Sequence, residues 1–206
     1  MSYYRRGKTA PRVDPAVGRQ FTPAQALRRA RLVDAAYELA CEGGYGAVTI
    51  DAVCKRAEVA RATVYHHFGS KDHLIAEAIL RWGNELQQAM RAAPPAKGDL
   101  LERVIGTLQR VIDSVELQPN LFQAAMLAVV APDLGVNETQ RELSSLVSRY
   151  LETIIDAEGE LDTELLGMVL GHVLFSSLVQ MATGRRTSEE VMNALAITAE
   201  LALGRR

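Results

Sequence analysis

Apolar residues recur three or four positions apart along most of the chain, which is the spacing of one face of an amphipathic helix. Glycine and proline interrupt this pattern at several points, because both residues disfavour a helix interior. The pattern predicts helices at about 22–43, 49–57, 61–67, 71–92, 99–116, 119–131, 138–157, 162–183 and 188–203. No apolar alternation is long enough to predict a strand. The predicted fold class is therefore all-α.

Several helix ends carry local signals. Thr22 is followed by Pro23, a favoured N-cap and first helical residue. Ser188 precedes two glutamates, which are favourable at the positive end of a helix. Gly43-Gly44 is expected to end the first helix with a left-handed residue. Asn137 or Asp162 is a further candidate N-cap.

Two of the predicted helices are short and are separated by a tight turn. Thr49 can cap the first, since its hydroxyl oxygen can accept from free N–H groups of the first turn. Val59 is placed to fill the junction between the helices, and Ser70 can cap the helix that follows. This arrangement is typical of a helix-turn-helix, whose second helix enters the major groove of DNA. An ordinary corner between two helices with a polar face fits the bare pattern equally well.

The second short helix leaves hydrogen-bonding side chains on its outer face. Val64 and Phe68, four positions apart, are expected to point to the core. No exposed carboxylate is expected between Val59 and Ser70. The side chains predicted to face solvent can all donate to phosphates or base edges: Arg61, Thr63, Tyr65, His66 and His67.

Charge is unevenly distributed along the chain. The net charge is −2. Residues 1–71 hold twelve Lys/Arg against six Asp/Glu, a net +6, and residues 72–206 hold eleven against nineteen, a net −8. The basic front is expected to meet a polyanion. Residues 1–21 are basic, contain proline and glycine, and are expected to be a disordered arm, which either follows DNA or is only a solvated tail.

The sequence resembles a known family over about residues 28–75. Thr49-Ile50, Ala52-Val53-Cys54, Ala57-Glu58-Val59 and Thr63-Val64-Tyr65-His66-His67-Phe68-Gly69-Ser70-Lys71-Asp72-His73-Leu74 are similar to the signature of TetR-family transcriptional repressors. Two positions depart from the pattern: Ala62 and Glu58 stand where glycine is common in the family. Glu58 therefore implies an altered turn or a strained left-handed residue.

The resemblance implies a cytoplasmic homodimer that binds a palindromic double-stranded operator and is released by a small-molecule effector. Residues 22–70 would form the helix-turn-helix domain, and residues 71–206 the helical regulatory and dimerisation domain. Thr49 would contact a phosphate, and Lys71 would add charge beside a helix N-terminus. On the second helix, Arg61 and Ala62 would touch base edges, Thr63, Tyr65 and His67 would clamp the backbone, and His66 could do either.

Residues Leu165 to Gly184 contain no charged side chain, and their length could span a bilayer. Five polar side chains and the lack of flanking aromatic belts favour a buried helix over a membrane span. In the resembled family the penultimate long helix packs against its twin. The last two helices are therefore expected to form a four-helix dimer interface.

Apolar side chains of the C-terminal half are candidates for an effector pocket, although plain core packing explains each of them as well. They are Leu86, Met90, Phe122, Met126, Met168, His172 and Phe175. The imidazole of His172 needs a partner, which is a ligand, Ser176 or a backbone carbonyl. An apolar or weakly polar effector is expected. The 118–122 stretch resembles TetR-family regulators of steroid and lipid catabolism.

Catalytic, metal and cofactor functions are not expected. The sequence has no glycine-rich phosphate loop and no nucleophile elbow. His66 and His67 are adjacent, so on a helix they point about 100° apart and do not form a chelating pair. Cys41 and Cys54 are interpreted as buried free thiols. A DNA-binding activator without a ligand, and a helical enzyme or carrier on the same fold, are the remaining alternatives.

Overall fold

The computed structural model describes residues 22–93, 98–129, 136–142, 145 and 163–204. Eight helices have both ends in these ranges: α1 (Pro23–Ala47), α2 (Ile50–Ala57), α3 (Arg61–His67), α4 (Lys71–Ala92), α5 (Leu100–Glu116), α6 (Pro119–Val129), α7 (Thr163–Ala182) and α8 (Ser188–Ala202). Residues 136–142 are also helical, and the described ranges contain no strand. The prediction of an all-α fold is confirmed.

Some sequence predictions fall outside the described residues. They are the basic arm at 1–21, the breaks at 94–95, 132–135 and 159, the candidate cap at 162, and most of the helix predicted at 138–157.

Polar caps begin the long helices as their local sequences indicate. Thr22 forms a capping box with Gln25, and Pro23 is the first helical residue. Asp99 forms the same arrangement with Glu102 at the start of α5. Thr187 is the N-cap of α8, so the helix begins at Ser188 as predicted. These caps satisfy amide groups that have no partner inside the helix.

The end of α1 differs in part from its prediction. Gly44 has φ +67° and ψ −160°, a backbone conformation that side chains rarely adopt, and Gly43 beside it is also non-helical. The glycines kink the helix, but helical structure resumes and continues to Ala47. The regular helix therefore ends at the glycines, with a positive φ at Gly44, as predicted, and only the helical turn beyond them, up to Ala47, was not predicted.

α1 lies at the centre of the packing. It contacts α2 and α4 within the N-terminal part, and its most extensive packing is against α6 of the C-terminal part. α6 also packs on α4 and α7, while α8 packs on α5 and α7. One apolar cluster runs continuously from Leu32 in α1 to Ala199 in α8. The short helices α2 and α3 are thus held against the same core as the C-terminal helices.

Candidate DNA-binding surface

The turn between α2 and α3 is built from the residues that the sequence indicated. The Thr49 hydroxyl oxygen accepts from the Ala52 N–H at 3.1 Å and caps α2. Glu58 ends α2 in the left-handed region, with φ 55° and ψ 47°, and its N–H donates to the Cys54 carbonyl. The predicted strained turn is confirmed. Val59 is half-buried and packs against the core, which sets α3 across α2.

α3 has one face in the core and one face in solvent. Val64 and Phe68 are buried, as predicted. Thr63 is half-buried, and four residues of α3 are exposed: Arg61, Ala62, Tyr65 and His66. This outer face therefore offers a guanidinium, a hydroxyl, a phenol and an imidazole.

His67 does not belong to the outer face. Its side chain is only 2% exposed, so the prediction that it faces solvent is wrong. Burial lowers the pKa of His67, and the nearby positive charges of His66, Arg29 and Arg28 lower it further. His67 lies three positions after Val64, and this i, i+3 relation to a core residue is the signal that places it inward.

Arg61 is linked to the preceding helix. Its Nη1 donates to Asp51 Oδ1 at 3.0 Å, joining the first residue of α3 to the second residue of α2. The Tyr65 hydroxyl, one turn along α3, and the Asp51 carboxylate both raise the pKa of Arg61. The Arg61 guanidinium on the outer face of α3 is thus charged and interacts with Asp51 and Tyr65.

Lys71 has partners within the chain. Its Nζ donates to the Tyr45 carbonyl at 2.5 Å and lies 3.6 Å from the centre of the Tyr45 ring. Burial lowers the pKa of Lys71. The Tyr45 hydroxyl donates to Asp72 Oδ1 at 2.7 Å, and this hydrogen bond is the main cause that raises the pKa of Tyr45 to about 12. Lys71 therefore also holds the last turn of α1, a role that sequence reasoning missed.

A mostly buried carboxylate, that of Glu77, joins three parts of the fold behind α3. Glu77 Oε2 accepts from Arg29 of α1 at 2.5 Å, and Glu77 Oε1 accepts from Thr139 at 3.0 Å. His73 Nε2 lies 3.8 Å from the same carboxylate. Burial acts to raise the pKa of Glu77, but His73, Arg29 and Thr139 together lower it to about 2. The ion pair with Arg29 joins α1 to α4, and the hydrogen bond from Thr139 joins α4 to the helical segment at 136–142.

The contact between α1 and α6 includes polar bonds at its edge. The Tyr37 hydroxyl donates to Gln118 Oε1 at 2.8 Å, and the Asn120 amide donates to the Cys41 carbonyl at 3.2 Å. Cys41 and Cys54 are free thiols and are half-buried. Deeper in the C-terminal part, the rings of Trp82 and Phe122 meet edge to face at 6.2 Å.

The candidate effector-pocket residues do not all lie together. Met90, Phe122 and Met126 are buried, whereas Leu86 and Phe175 are half-buried. Met168 is 48% exposed and His172 is also exposed, so the expectation that these two line the interior is wrong. His172 Nδ1 lies 2.7 Å from the Met168 carbonyl oxygen, which identifies a backbone carbonyl as its partner.

Phe122 also borders a cleft of about 410 Å³ where α5, α6, α7 and the start of α8 meet. Its wall is part apolar and part polar. The lining residues are Val115, Glu116, Pro119, Asn120, Phe122, Gln123, Met181, Ala182, Arg186, Thr187 and Ser188. Asn120, one of them, also holds α1 through the Cys41 carbonyl.

α7 is the one helix of the described residues that is long and apolar enough to cross a membrane, judged by length and composition alone. One third of the window Leu165–Ala182 is buried within the chain. The expectation that α7 is buried on most sides is thus not met by the single chain. The large apolar side chains exposed on α7 and α8 are Leu165, Met168, Val169, Ile197 and Leu201.

Comparison with known proteins covers both halves of the chain. Residues 32–78 match the family of bacterial regulatory proteins, tetR family, and residues 98–202 match the tetracyclin repressor-like C-terminal domain. The HTH-type transcriptional repressor KstR of Rhodococcus jostii (strain RHA1) is 33% identical over 182 residues, covering 88% of this chain and 85% of that protein. KstR of Mycolicibacterium smegmatis (strain ATCC 700084 / mc(2)155) is 29% identical, with coverages of 88% and 89%.

A solved structure shows the same fold. The crystal structure of a TetR transcriptional regulator from Rhodococcus sp. RHA1 superposes with a TM-score of 0.76 at 20% identity, over 88% of this chain and 98% of that chain. These relatives are named as HTH-type transcriptional repressors and not as enzymes. Since both halves match, and α2 and α3 form the helix-turn-helix, the chain belongs to the TetR family of transcriptional repressors, a family that responds to ligands.

Proposed function

We propose that the chain is a homodimeric repressor that binds a palindromic operator and is released from it by a small, mostly apolar molecule. The observation that carries this proposal is the outer face of α3. Arg61, Ala62, Tyr65 and His66 are exposed there, while Val64 and Phe68 anchor the helix from behind. A helix held in this way can present its N-terminal residues to base edges in the major groove.

The DNA contacts divide into those that select a sequence and those that hold the backbone. Arg61 and Ala62, at the N-terminus of α3, would touch base edges. Thr63, Tyr65 and His66 would hold the backbone, with His66 also able to reach a base. Thr49 retains its O–H for a phosphate, because its cap uses only the oxygen as acceptor.

Two of the predicted DNA contacts have a second role in the proposal. Lys71 donates to Tyr45, so it would meet a phosphate only with its remaining N–H groups. His67 is buried and would act from inside by setting the position of α3.

The exposed apolar face of α7 and α8 supports a dimer through the last two helices. Met168 and Val169 on α7 and Ile197 on α8 expose large apolar side chains to water in the single chain. Large apolar side chains exposed together on two helices that pack on each other are typical of an interface. Two copies related by a two-fold axis would place their α3 helices about one turn of DNA apart, roughly 34–36 Å.

The effector would bind among the apolar side chains of the C-terminal part. Phe122 and Met126 are buried in the common core, and Phe175 packs against it. Because α6 carries Phe122 and also packs on α1, a ligand that displaces α6 would alter the position of α1 and of the helices that rest on it. The resemblance of the 118–122 stretch to regulators of steroid and lipid catabolism favours a molecule of steroid or lipid type.

The proposal is tested by selecting duplexes from a randomised DNA library with the purified full chain and footprinting the recovered sequence. We expect one short palindrome, bound by an even number of chains, with half-sites about one helical turn apart. A panel of sterols and fatty acids is then titrated into the complex, and one class should release the DNA. Recovery of no common sequence, with only diffuse binding at low salt, would overturn the proposal.

A further inference from the structure

The contact between Arg61 and Asp51 joins α3 to α2. Arg61 Nη1 donates to Asp51 Oδ1 at 3.0 Å. The Arg61 side chain is 59% exposed and that of Asp51 is 75% exposed. Asp51 is an acidic side chain on the face where polyanionic DNA is expected, and a carboxylate there would ordinarily oppose binding.

Fold stability does not explain this pair. Both side chains are in contact with water, where salt screens their attraction and ordering two flexible side chains opposes it. The two helices are already fixed by Val53 and Val64, which are buried, and by the turn at Glu58. We therefore look for the role of this ion pair at the outer surface of α3 and not in the stability of the fold.

We propose that Asp51 is a positioning residue that holds Arg61 in the orientation required to read a base edge. This inference rests on the proposed function, since it concerns how that surface selects its sequence. An unrestrained arginine has many rotamers and is attracted to any phosphate nearby. The Asp51 carboxylate fixes one end of the guanidinium and repels phosphates from the same place.

The geometry leaves a donor edge available to DNA. Arg61 uses Nη1 for Asp51, so Nη2 and Nε form an edge that can donate to guanine O6 and N7 as a bidentate pair. Asp51 thus holds one side of the guanidinium before Arg61 meets DNA, which reduces the ordering cost of binding.

The test compares the duplex selected by the wild-type chain with a scrambled duplex of the same length. Asp51→Asn removes the charge, and Asp51→Glu keeps it. Glu38→Gln is the matched control, because Glu38 is an exposed carboxylate on α1 that pairs with Arg56. We expect Asp51→Asn to bind the scrambled duplex more tightly and to lose about three- to tenfold of the preference for the selected duplex. Glu38→Gln should leave that preference unchanged, and Asp51→Glu should retain most of it.

A second comparison separates positioning from a general charge effect. In an Arg61→Ala background, Asp51→Asn should no longer change the preference, because the residue that it positions is gone. Thermal unfolding midpoints of all variants should match that of the wild type, since Asp51 is exposed.

The outcomes distinguish the two proposals. One case is that the wild-type chain selects a sequence but Asp51→Asn keeps the preference for it, or changes that preference equally in the Arg61→Ala background. In that case only the positioning role of Asp51 is overturned, and the proposed function stands. If the wild-type chain selects no sequence, the proposed function fails and the inference fails with it.

Discussion

The Glu77 side chain links distant parts of the chain and is ionised although it is mostly buried. Its carboxylate is mostly buried and accepts from Arg29 and Thr139, residues far apart in the chain. Burial alone would raise the pKa of this carboxyl, but the interactions with His73, Arg29 and Thr139 outweigh burial and lower the pKa to about 2. A group of this kind makes the stability of the fold depend on pH.

We expect Glu77→Gln to lower the free energy of unfolding at neutral pH by about 2–4 kcal/mol, because it leaves Arg29 without its counter-charge. The folded pKa of Glu77, about 2, lies below the ordinary glutamate value of 4.5. Its stabilisation is therefore complete above pH 4.5 and is lost as pH falls from 4.5 to about 2. Chemical denaturation across this range should show the wild type and the variant converging.

Glu85→Gln is the control for this measurement. Glu85 lies on the same helix and pairs with Arg81, but its side chain is about half exposed. The control should cost little at any pH. An equal loss in the two variants would contradict the assignment of Glu77.

Glu58 carries backbone strain at the turn between α2 and α3. Its φ of 55° costs a side-chain-bearing residue roughly 1–2 kcal/mol relative to a right-handed conformation. We expect Glu58→Gly to raise the free energy of unfolding by up to about 1 kcal/mol, after the greater unfolded-state entropy of glycine is deducted. Glu58→Ala removes the same carboxylate and keeps the strain. If both variants have equal denaturation midpoints, the strain is not significant.

At the scale of elements, α3 owes its position to the helices that it rests on. Seven residues are too few to form a stable helix in isolation, so its packing must supply the stability. Val64, His67 and Phe68 form the inner face, and the Phe68 ring meets Arg29 of α1 and His73 of α4 at 5.0 and 5.4 Å. Changes on this inner face are expected to affect the fold as well as DNA binding.

The buried ring of His67 predicts that the stability of the fold depends on pH. Its folded pKa lies below 6.5, so the unfolded chain binds a proton first as pH falls. Stability from the neutral buried ring is complete above pH 6.5 and declines as pH falls from there toward the folded pKa. Between about pH 7.5 and 5.5, wild-type stability should fall more than that of His67→Gln.

The exposed residue next to it provides the comparison. His66→Gln should weaken the pH effect only in part, because the charge of His66 is a smaller cause of the lowered pKa of His67 than burial is. A His67→Gln profile as steep as that of the wild type would show that another group is responsible.

At the scale of the whole molecule, the outer face of α7 and α8 is the proposed dimer interface. A charge placed there is expected to abolish the proposed dimer, since an unpaired carboxylate in an apolar interface is costly. We expect Met168→Asp to give monomers in analytical ultracentrifugation and to lose the operator footprint. Leu117→Asp is the control, because Leu117 is an exposed apolar residue at the end of α5 and does not belong to α7 or α8. A Met168→Asp variant that sediments like the wild type would place the interface elsewhere.

The sequence by itself determined the local structure, because helix periodicity, caps and turns depend on residues only a few positions apart. The all-α fold, the bounds of α2 and α3, the cap at Thr49 and the strain at Glu58 were all predictable for this reason. Only the tertiary structure decided which of the remaining polar side chains face solvent. His67 turned inward against the core, and Lys71 bound the Tyr45 carbonyl, because of what packs beside them from α1.

The tertiary structure also decided which distant residues pair with each other and which side chains of α7 are exposed. Arg29 and Thr139 meet at Glu77 although 110 positions separate them, and no local pattern reports such an encounter. Met168 and His172 lie on an apolar helix, yet they face outward because α6 and α8 pack on its other sides. Burial depends on which neighbours a face acquires, and those neighbours come from distant parts of the chain.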